Sequence, residues 1–224
     1  SLRPQAPMSE SQWESIKTLI EGSTSGVIVV GQLEESDDVV AAQQLAHLSG
    51  WPIITDVNSQ LRGWDWGSVY RHADRLFHVD PEFPEADVVI RLGQALVSKS
   101  LGKWIEKSGS EVIQIGFGEL RQDPQFCRTL RLYRTPSQFM EWVRDSNLNW
   151  PISLLQEPLL KEKILGQKLA SFLEKEDQDP LGLKVVYELS KQIPGSHCVF
   201  LSNSMSIRYG EWIWAPVGRQ IRVG

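Results

Sequence analysis

Short apolar runs alternate with amphipathic stretches along residues 9–146 of the chain. Four runs rich in β-branched residues predict buried parallel strands, at residues 26–30, 52–55, 87–92 and 111–115. Stretches with helical spacing of apolar residues predict helices around and between them, at residues 9–22, 37–48, 69–77 and 99–107. Strands separated by helices are typical of an open α/β sheet with helices on both faces.

Local signals mark where several of these elements begin and end. Ser36 is a candidate N-cap for the second helix, and Gly50 is placed to end that helix. Residues 129–133 alternate between polar and apolar side chains, which predicts an edge strand. Thr135 followed by Pro136 predicts the N-cap and the first position of a further helix.

The pattern changes after residue 146, where two prolines interrupt a stretch without a clear period. A helix is predicted at 159–173, then a helix from Asp179 and Pro180 to Gln192, and a buried strand at 198–201. We therefore predict a Rossmann-like open parallel sheet followed by the first α–β unit of a second domain. The boundaries are 1–146 for the sheet domain, 147–178 for a linker and crossing helix, and 179–224 for the truncated second domain.

Composition narrows the classes of function. The 224 residues carry 23 basic and 28 acidic side chains, a net charge of −5, which argues against a binder of nucleic acid or of anionic membranes. No apolar run reaches the roughly 18 residues that a membrane span needs. The two cysteines form no CxxC pair, and the four histidines show no metal-ligand spacing. We therefore expect a cytoplasmic protein with no metal site in this chain.

Candidate chemistry lies in the loops that follow strands, because open α/β sheets bind ligands at the carboxyl ends of their strands. The loop after the second strand offers Asn58, Ser59 and Arg62 to a polar ligand, or it is a turn held by its own polar side chains. After the third strand, Lys99 begins a helix, where a cation opposes the helix dipole. An anionic ligand would explain this lysine, and a solvated surface position is the alternative.

The most specific arrangement follows the last predicted strand. If Ser204 begins a helix, Arg208 lies four residues later on the same face. A hydroxyl and a guanidinium at a helix N-terminus form a binding site for a carboxylate, with a structural salt bridge as the alternative. No Ser–His–Asp order, catalytic carboxylate pair or glycine-rich phosphate loop stands out elsewhere in the chain.

Three segments resemble the MenD family, the 2-succinyl-5-enolpyruvyl-6-hydroxy-3-cyclohexene-1-carboxylate synthases. In chain order the segments are residues 50–62 (GWPIITDVNSQLR), residues 86–93 with Ser98, Lys99 and Trp104, and residues 202–208. The last is similar to the family's G-N-S-x-x-x-R segment, with Ser202 in place of glycine. The resemblance extends from about residue 26 to residue 224, nearly the whole chain.

The resemblance implies a homo-oligomeric enzyme, dimeric or tetrameric, that uses thiamine diphosphate and a divalent metal, usually Mg²⁺. Such enzymes decarboxylate 2-oxoglutarate and add the resulting carbanion to isochorismate in menaquinone or phylloquinone biosynthesis. This chain would be the central domain and the opening of the pyrophosphate-binding domain. Ser204, Arg208 and Lys99 would bind the substrates. The wider substrate region would contain Asn58, Ser59, Arg62, Asn203 and Ser100, the last at a position where some relatives carry arginine.

Two features of the family have no counterpart in the 224 residues: the glutamate that activates the cofactor and the GDG…N metal-binding motif. We therefore expect this stretch alone to bind no thiamine diphosphate and to contain no catalytic or metal-binding residue. Two alternatives remain. One is a free-standing Rossmann-like nucleotide- or ligand-binding module, since this architecture hosts many functions. The other is the central domain of a different thiamine enzyme, such as an acetolactate synthase.

Overall fold

A computed structural model describes residues 8–64, 66–116, 128–175, 181–195, 197–214 and 222–223. Its main sheet contains β1 (Val27–Val30), β2 (Ile53–Thr55), β3 (Val69–Tyr70), β4 (Val88–Leu92), β5 (Glu111–Ile115) and β6 (Arg128–Leu132). All neighbouring pairs are parallel, in the order β3-β2-β1-β4-β5-β6. The predicted open parallel sheet is therefore confirmed, with the predicted edge strand at one end.

Five helices cover this sheet: α1 (Glu10–Glu21), α2 (Ser36–Ser49), α3 (Ala73–Val79), α4 (Lys99–Ser108) and α5 (Pro136–Asp145). Successive side chains of a strand point to opposite faces, so β1 contributes to two cores. Ile28 and Val30 pack with α1, α2 and α5, whereas Val27 and Val29 pack with α3 and α4. Helices therefore lie on both faces, as the alternation of elements predicts.

Sequence signals at the helix ends are largely confirmed. Thr135 and Gln138 form a capping box at the start of α5, where Pro136 occupies the first turn. Gly50 ends α2 with a left-handed φ of 65°, a conformation that costs glycine little. The predicted cap at Ser36 is wrong by one residue, because Glu35 takes the extended N-cap conformation and Ser36 is already helical.

The predicted helix at 69–77 is wrong in its first part. Val69 and Tyr70 form strand β3, which pairs with Ile53 and Ile54 of β2, and the helix α3 begins only at Ala73. An isolated two-residue strand has no periodicity that a sequence pattern could reveal. The open edge of β2 decides the structure here, since pairing satisfies its backbone hydrogen-bonding groups.

The chain after residue 146 contains α6 (Leu159–Leu173), α7 (Leu181–Gln192), β7 (Cys198–Val199), α8 (Met205–Ile213) and β8 (Arg222–Val223). The helix predicted at 159–173 is confirmed. β7 and β8 form a separate parallel pair. A third apolar cluster connects this part to the main sheet domain, because Val57 in the loop after β2 packs with residues of α6, α7 and α8.

The strand predicted as buried at 198–201 is shorter and only half-buried. Val199 and Leu201 are buried, whereas Cys198 is exposed and Phe200 is 81% exposed. The alternation shows that the described residues cover only one face of this strand. Cys127 lies outside the described residues. Within the described part of the chain, none of the helices has the length and apolar character that crossing a membrane requires.

Candidate functional site

A cavity of about 490 Å³ lies between α3, α4 and α8. The helices that form it follow β3, β4 and β7, so it lies at the carboxyl ends of these parallel strands. Its lining residues are Asp74, His78, Val97, Ser98, Lys99, Ser100, Asn203, Ser204, Ile207, Arg208, Glu211 and Trp212.

Five residues singled out in the sequence line this one cavity, although two separate segments supply them: Lys99, Ser100, Asn203, Ser204 and Arg208. Lys99 and Arg208 are exposed at its rim. Within the described residues, neither cation has a hydrogen-bond or ion-pair partner. The two side chains are therefore available to an anionic ligand, and the alternative of a structural salt bridge for Arg208 is not observed among these residues.

The start of α4 is held in place by hydrogen bonds to the loop that precedes Lys99. The Ser98 hydroxyl accepts from the Leu101 backbone N–H at 3.0 Å, which makes Ser98 the N-cap of α4. The Val97 backbone N–H donates to Oδ2 of Asp56 at 2.7 Å. Asp56 directly follows β2, so this bond connects two loops at the carboxyl edge of the sheet.

Ser204 is the N-cap residue of α8, but its side chain makes no capping hydrogen bond. Its backbone has a φ of 86°, in a region that residues other than glycine rarely adopt. Its side chain is exposed in the lining of the cavity. Strained conformations of this kind concentrate at binding sites, where the surrounding structure maintains them.

Gly210 allows α8 to lie close to the sheet domain. A Cβ atom at this position would lie 2.7 Å from Cδ1 of Leu201 and 3.1 Å from Val57. A larger residue would require the Leu201 side chain or the helix to shift. Because Arg208 is on the same helix, this close approach also sets the distance of its guanidinium from the α4 side of the cavity.

Sequence reasoning did not single out four further lining residues with polar groups: Asp74, His78, Glu211 and Trp212. Glu211 is buried and accepts a hydrogen bond from the Val57 backbone N–H at 2.7 Å. A charged residue in an otherwise apolar segment was the available signal for Glu211. Asp74 could not be recognised as a residue that follows a strand, because the whole segment from 69 to 77 is predicted as one helix.

Arg62 and Glu211 form a buried ion pair beneath the cavity. Nη1 of Arg62 lies 3.4 Å from Oε1 of Glu211, and the guanidinium also donates to the backbone carbonyls of Thr55 and Glu211. Burial raises the pKa of Glu211 well above its ordinary value; the Arg62 charge opposes this shift, and Asp56 and Asp74 add to it. Burial likewise raises the pKa of Asp56, although hydrogen bonds from the backbone N–H groups of Asn58 and Val97 act to lower it.

The expectation that the loop after β2 offers three side chains to a cleft is not met for two of them. Ser59 is 0% exposed and its hydroxyl accepts from the Leu61 N–H, while Arg62 is 2% exposed and is held by Glu211. Asn58 is half-buried, and its Oδ1 is buried with no hydrogen-bond partner in the described structure. Among the described lining residues of the cavity, none of these three occurs. Ser59 bonds within the loop that carries Val57, and Arg62 connects this loop to Glu211 of α8.

A larger cavity of about 720 Å³ lies between β3, α6 and α7. Its walls are mainly apolar, and none of the residues singled out in the sequence is among its described lining. Nδ1 of His72 and Oε1 of Glu162 in its lining lie 2.8 Å apart, and the lining also contains Arg71, Lys163 and Lys191. The smaller cavity is the better candidate, because it lies at the strand ends, where open α/β sheets bind ligands, and contains five of the residues singled out in the sequence.

Searching the described residues for three or more His, Cys, Asp or Glu side chains placed to hold a metal ion reveals no such group. The carboxylates of Asp74 and Glu211 in the cavity already accept hydrogen bonds from protein donors. The described residues therefore do not by themselves fit a metal ion bound to a diphosphate.

Comparison with known proteins identifies the family. Residues 3–201 match the family model described as the middle domain of thiamine pyrophosphate. The chain belongs to this family of thiamine pyrophosphate middle domains. The fold agrees, since this family match and the six-stranded parallel sheet describe the same part of the chain. Thiamine-dependent enzymes are therefore the class to which the chain is related.

Curated relatives of this middle domain include three 2-succinyl-5-enolpyruvyl-6-hydroxy-3-cyclohexene-1-carboxylate synthases. The synthase of Psychromonas ingrahamii is 25% identical over 194 residues, which cover 83% of this chain and 32% of that protein. Those of Shewanella frigidimarina and Shewanella amazonensis are 28% and 29% identical over 202 residues, or 86% of this chain and 33% of each protein. The chain spans about a third of the length of the relatives it matches. The resemblance to the MenD family is thus confirmed.

Proposed function

We propose that this chain is the middle part of a thiamine diphosphate- and Mg²⁺-dependent synthase that joins 2-oxoglutarate, after decarboxylation, to isochorismate. Its own contribution is to bind the carboxylate of a substrate in the cavity between α4 and α8. The observation that carries the proposal is the convergence of Lys99 and Arg208 on one cavity from two distant segments. The names of the curated relatives support the choice of reaction.

The geometry supports carboxylate binding in particular. The planar guanidinium of Arg208 offers paired N–H donors that match the two oxygens of a carboxylate, and Lys99 adds a point charge. The exposed hydroxyl of Ser204 is a further donor. A volume of about 490 Å³ lies within the range of small-molecule sites. The Asp74 carboxylate lines the same cavity, and its negative charge favours a bound carboxylate near the cationic rim instead.

The wider organisation belongs to the same proposal. Residues 1–146 form the central domain, 147–178 the linker and crossing helix, and 179–224 begin the pyrophosphate-binding domain. The residues that activate the cofactor and bind the metal lie outside this stretch, so the stretch alone is inactive. The synthase is a cytoplasmic dimer or tetramer, and its pathway leads to menaquinone or phylloquinone.

Steady-state kinetics of the protein made from the complete reading frame tests this function, with thiamine diphosphate, Mg²⁺ and both substrates supplied. We expect Arg208→Ala to reduce kcat/KM about 100-fold, because the lost charge-assisted hydrogen bond contributes about 2–3 kcal/mol. Arg144→Ala is the matched control, since Arg144 is an exposed arginine of α5 that bonds to Gln44 of α2. Wild-type kinetics for Arg208→Ala would refute the role of Arg208, and an inactive wild-type protein would refute the reaction.

A further inference from the structure

Asp74 is the one described carboxylate that bonds to the side chains of both helices that carry the cations of the cavity. It lies in the first turn of the short helix α3 and is buried. One oxygen accepts from the Ser98 hydroxyl at 2.5 Å, and the other accepts from Nε1 of Trp212 at 3.0 Å. Ser98 is the N-cap of α4 and Trp212 belongs to α8.

The bond to Ser98 fixes the position from which Lys99 projects. The Ser98 oxygen accepts from the Leu101 N–H, so its own proton is free to be donated, and Asp74 receives it. Ser98 is thereby held in one rotamer, and Lys99 follows it in sequence. The start of α4 cannot shift relative to α3 without breaking one of these two hydrogen bonds.

The bond to Trp212 fixes the position from which Arg208 projects. Arg208 and Trp212 are four residues apart in α8 and therefore share one face of that helix. The indole is held from two sides, because the Arg75 guanidinium lies 3.4 Å from the ring centroid while Asp74 accepts from the ring nitrogen. Both Arg75 and Asp74 belong to α3, so this short helix is the common support of α4 and α8.

We propose that Asp74 is a positioning residue, which sets the separation of Lys99 and Arg208 by bonding Ser98 and Trp212 at the same time. The inference rests on the proposed function, because it concerns the same carboxylate site. Asp74 does not itself bind the substrate: both of its oxygens are occupied, and its charge would repel a carboxylate. Its effect is on the geometry in which the two cations meet the ligand.

Asp74→Asn tests the proposal in the protein made from the complete reading frame. The amide keeps the shape of the side chain but has only one acceptor oxygen. With that oxygen on the Trp212 N–H, the amide NH2 group faces Ser98 as a donor, so the Ser98 hydroxyl can no longer donate its proton to a carboxylate and the charge-assisted bond is lost. We expect KM for 2-oxoglutarate to rise about tenfold while kcat stays within about twofold, as for a loss of binding that ground state and transition state share. Trp212→Phe removes only the indole N–H that donates to Asp74, and it should raise KM about threefold, again as a loss of binding shared by the ground state and the transition state.

Asp38→Asn is the matched control for a merely structural effect. Asp38 is a buried carboxylate of α2 that accepts from the Ser137 N–H of α5 at 3.0 Å, on the opposite face of the sheet. We expect its KM to equal that of the wild type. A second readout is the ¹⁵N–¹H resonance of the Trp212 indole, assigned with Trp212→Phe. It should shift in Asp74→Asn, because its acceptor changes, and keep its position in Asp38→Asn.

The outcomes separate this proposal from the function on which it rests. If Lys99→Ala and Arg208→Ala raise KM but Asp74→Asn and Trp212→Phe do not, the positioning role is overturned and the carboxylate site stands. An equal rise of KM in Asp38→Asn also overturns the positioning role, since the effect would follow from general loosening. If neither Lys99→Ala nor Arg208→Ala alters KM, the carboxylate site itself is overturned. Should Asp74→Asn fail to fold, Trp212→Phe decides the question alone.

Discussion

Two buried glutamates attach the later helices of the chain to its sheet domain, and the pKa values of their carboxyl groups are shifted in opposite directions. Glu162 connects α6 to the segment after β3, and Glu211 connects α8 to the loop after β2. Both are about equally buried, with exposures of 5% and 4%. Burial alone raises the pKa of each carboxyl, yet the pKa of Glu162 is lowered and that of Glu211 is raised.

The difference lies in the donors that each carboxylate meets. Glu162 accepts from the Arg71 N–H at 2.8 Å, from the His72 N–H at 2.9 Å and from Nδ1 of His72 at 2.8 Å. The His72 and Arg71 donors outweigh the effect of burial on its pKa. Glu211 shares a single guanidinium, that of Arg62, with Asp56, and the charges of Asp56 and Asp74 raise its pKa further. Since burial raises the pKa of both carboxyls, the donors and neighbouring charges account for the opposite directions of the two shifts.

The largest expected effect comes from deleting the well-satisfied carboxylate. Glu162→Ala leaves two backbone N–H groups and the His72 ring nitrogen without their acceptor in the interior. We expect the free energy of unfolding to fall by about 3 kcal/mol at neutral pH, measured by urea denaturation. Glu157→Ala, at an exposed site just before α6, should change it by less than about 0.5 kcal/mol. Equal losses in both variants would contradict the comparison.

Glutamine substitutions sharpen the comparison, since they remove the charge and keep the shape. Glu162→Gln should cost about 2 kcal/mol, because its ionised form is the one that the N–H donors and His72 stabilise. Glu211→Gln should cost less than about 1 kcal/mol, because burial and the neighbouring carboxylates raise the pKa of Glu211, so its surroundings stabilise the ionised form less than those of Glu162 do. Chemical denaturation of both variants under the same conditions measures the difference. A larger loss for Glu211→Gln would show that Arg62 requires the ionised partner.

The smallest effect is a difference in pH dependence. The lowered pKa of Glu162 means that its stabilisation is present above the ordinary glutamate pKa and is lost as pH falls through the folded-state value. The raised pKa of Glu211 means that its contribution is complete below the ordinary value and is lost as pH rises through the folded-state value. We would plot the free energy of unfolding against pH. Glu162→Gln should flatten the loss of stability that occurs as pH falls below the ordinary glutamate pKa. Glu211→Gln should flatten the loss of stability that occurs as pH rises above that value. The reverse assignment would contradict the donor argument.

Much of the fold follows from local patterns. The β-branched runs of β1, β2, β4 and β5 and the helix α6 were predicted within a residue or two of their observed ends. These elements have enough residues to show a period, and their caps use side chains that bond to neighbouring backbone. β3 was missed because two residues contain no period, and its conformation depends on the free edge of β2.

The candidate site divides in the same way. Lys99 and Arg208 could be selected because a cation at a helix start and a hydroxyl–guanidinium pair have a local physical meaning. The role of Asp74 could not be selected, since it bonds to Ser98, 24 positions along the chain, and to Trp212, 138 positions along the chain. Such contacts leave no mark in a short window of sequence.

The sequence by itself determined the parallel α/β architecture, several helix ends such as Gly50 and Thr135, and the identity of the two cations at the cavity, because periodicity and capping act over a few neighbouring residues. Only the tertiary structure decided which polar residues line the cavity. Arg62 and Ser59 belong to a polar loop like those that form the cavity, yet they are buried. The reason is that Glu211, 149 positions after Arg62, closes over that loop and pairs with its guanidinium. A charged side chain can be buried only when it is paired and hydrogen-bonded. Here the partner, Glu211, is distant in sequence, so only the packing of the chain brings it to Arg62.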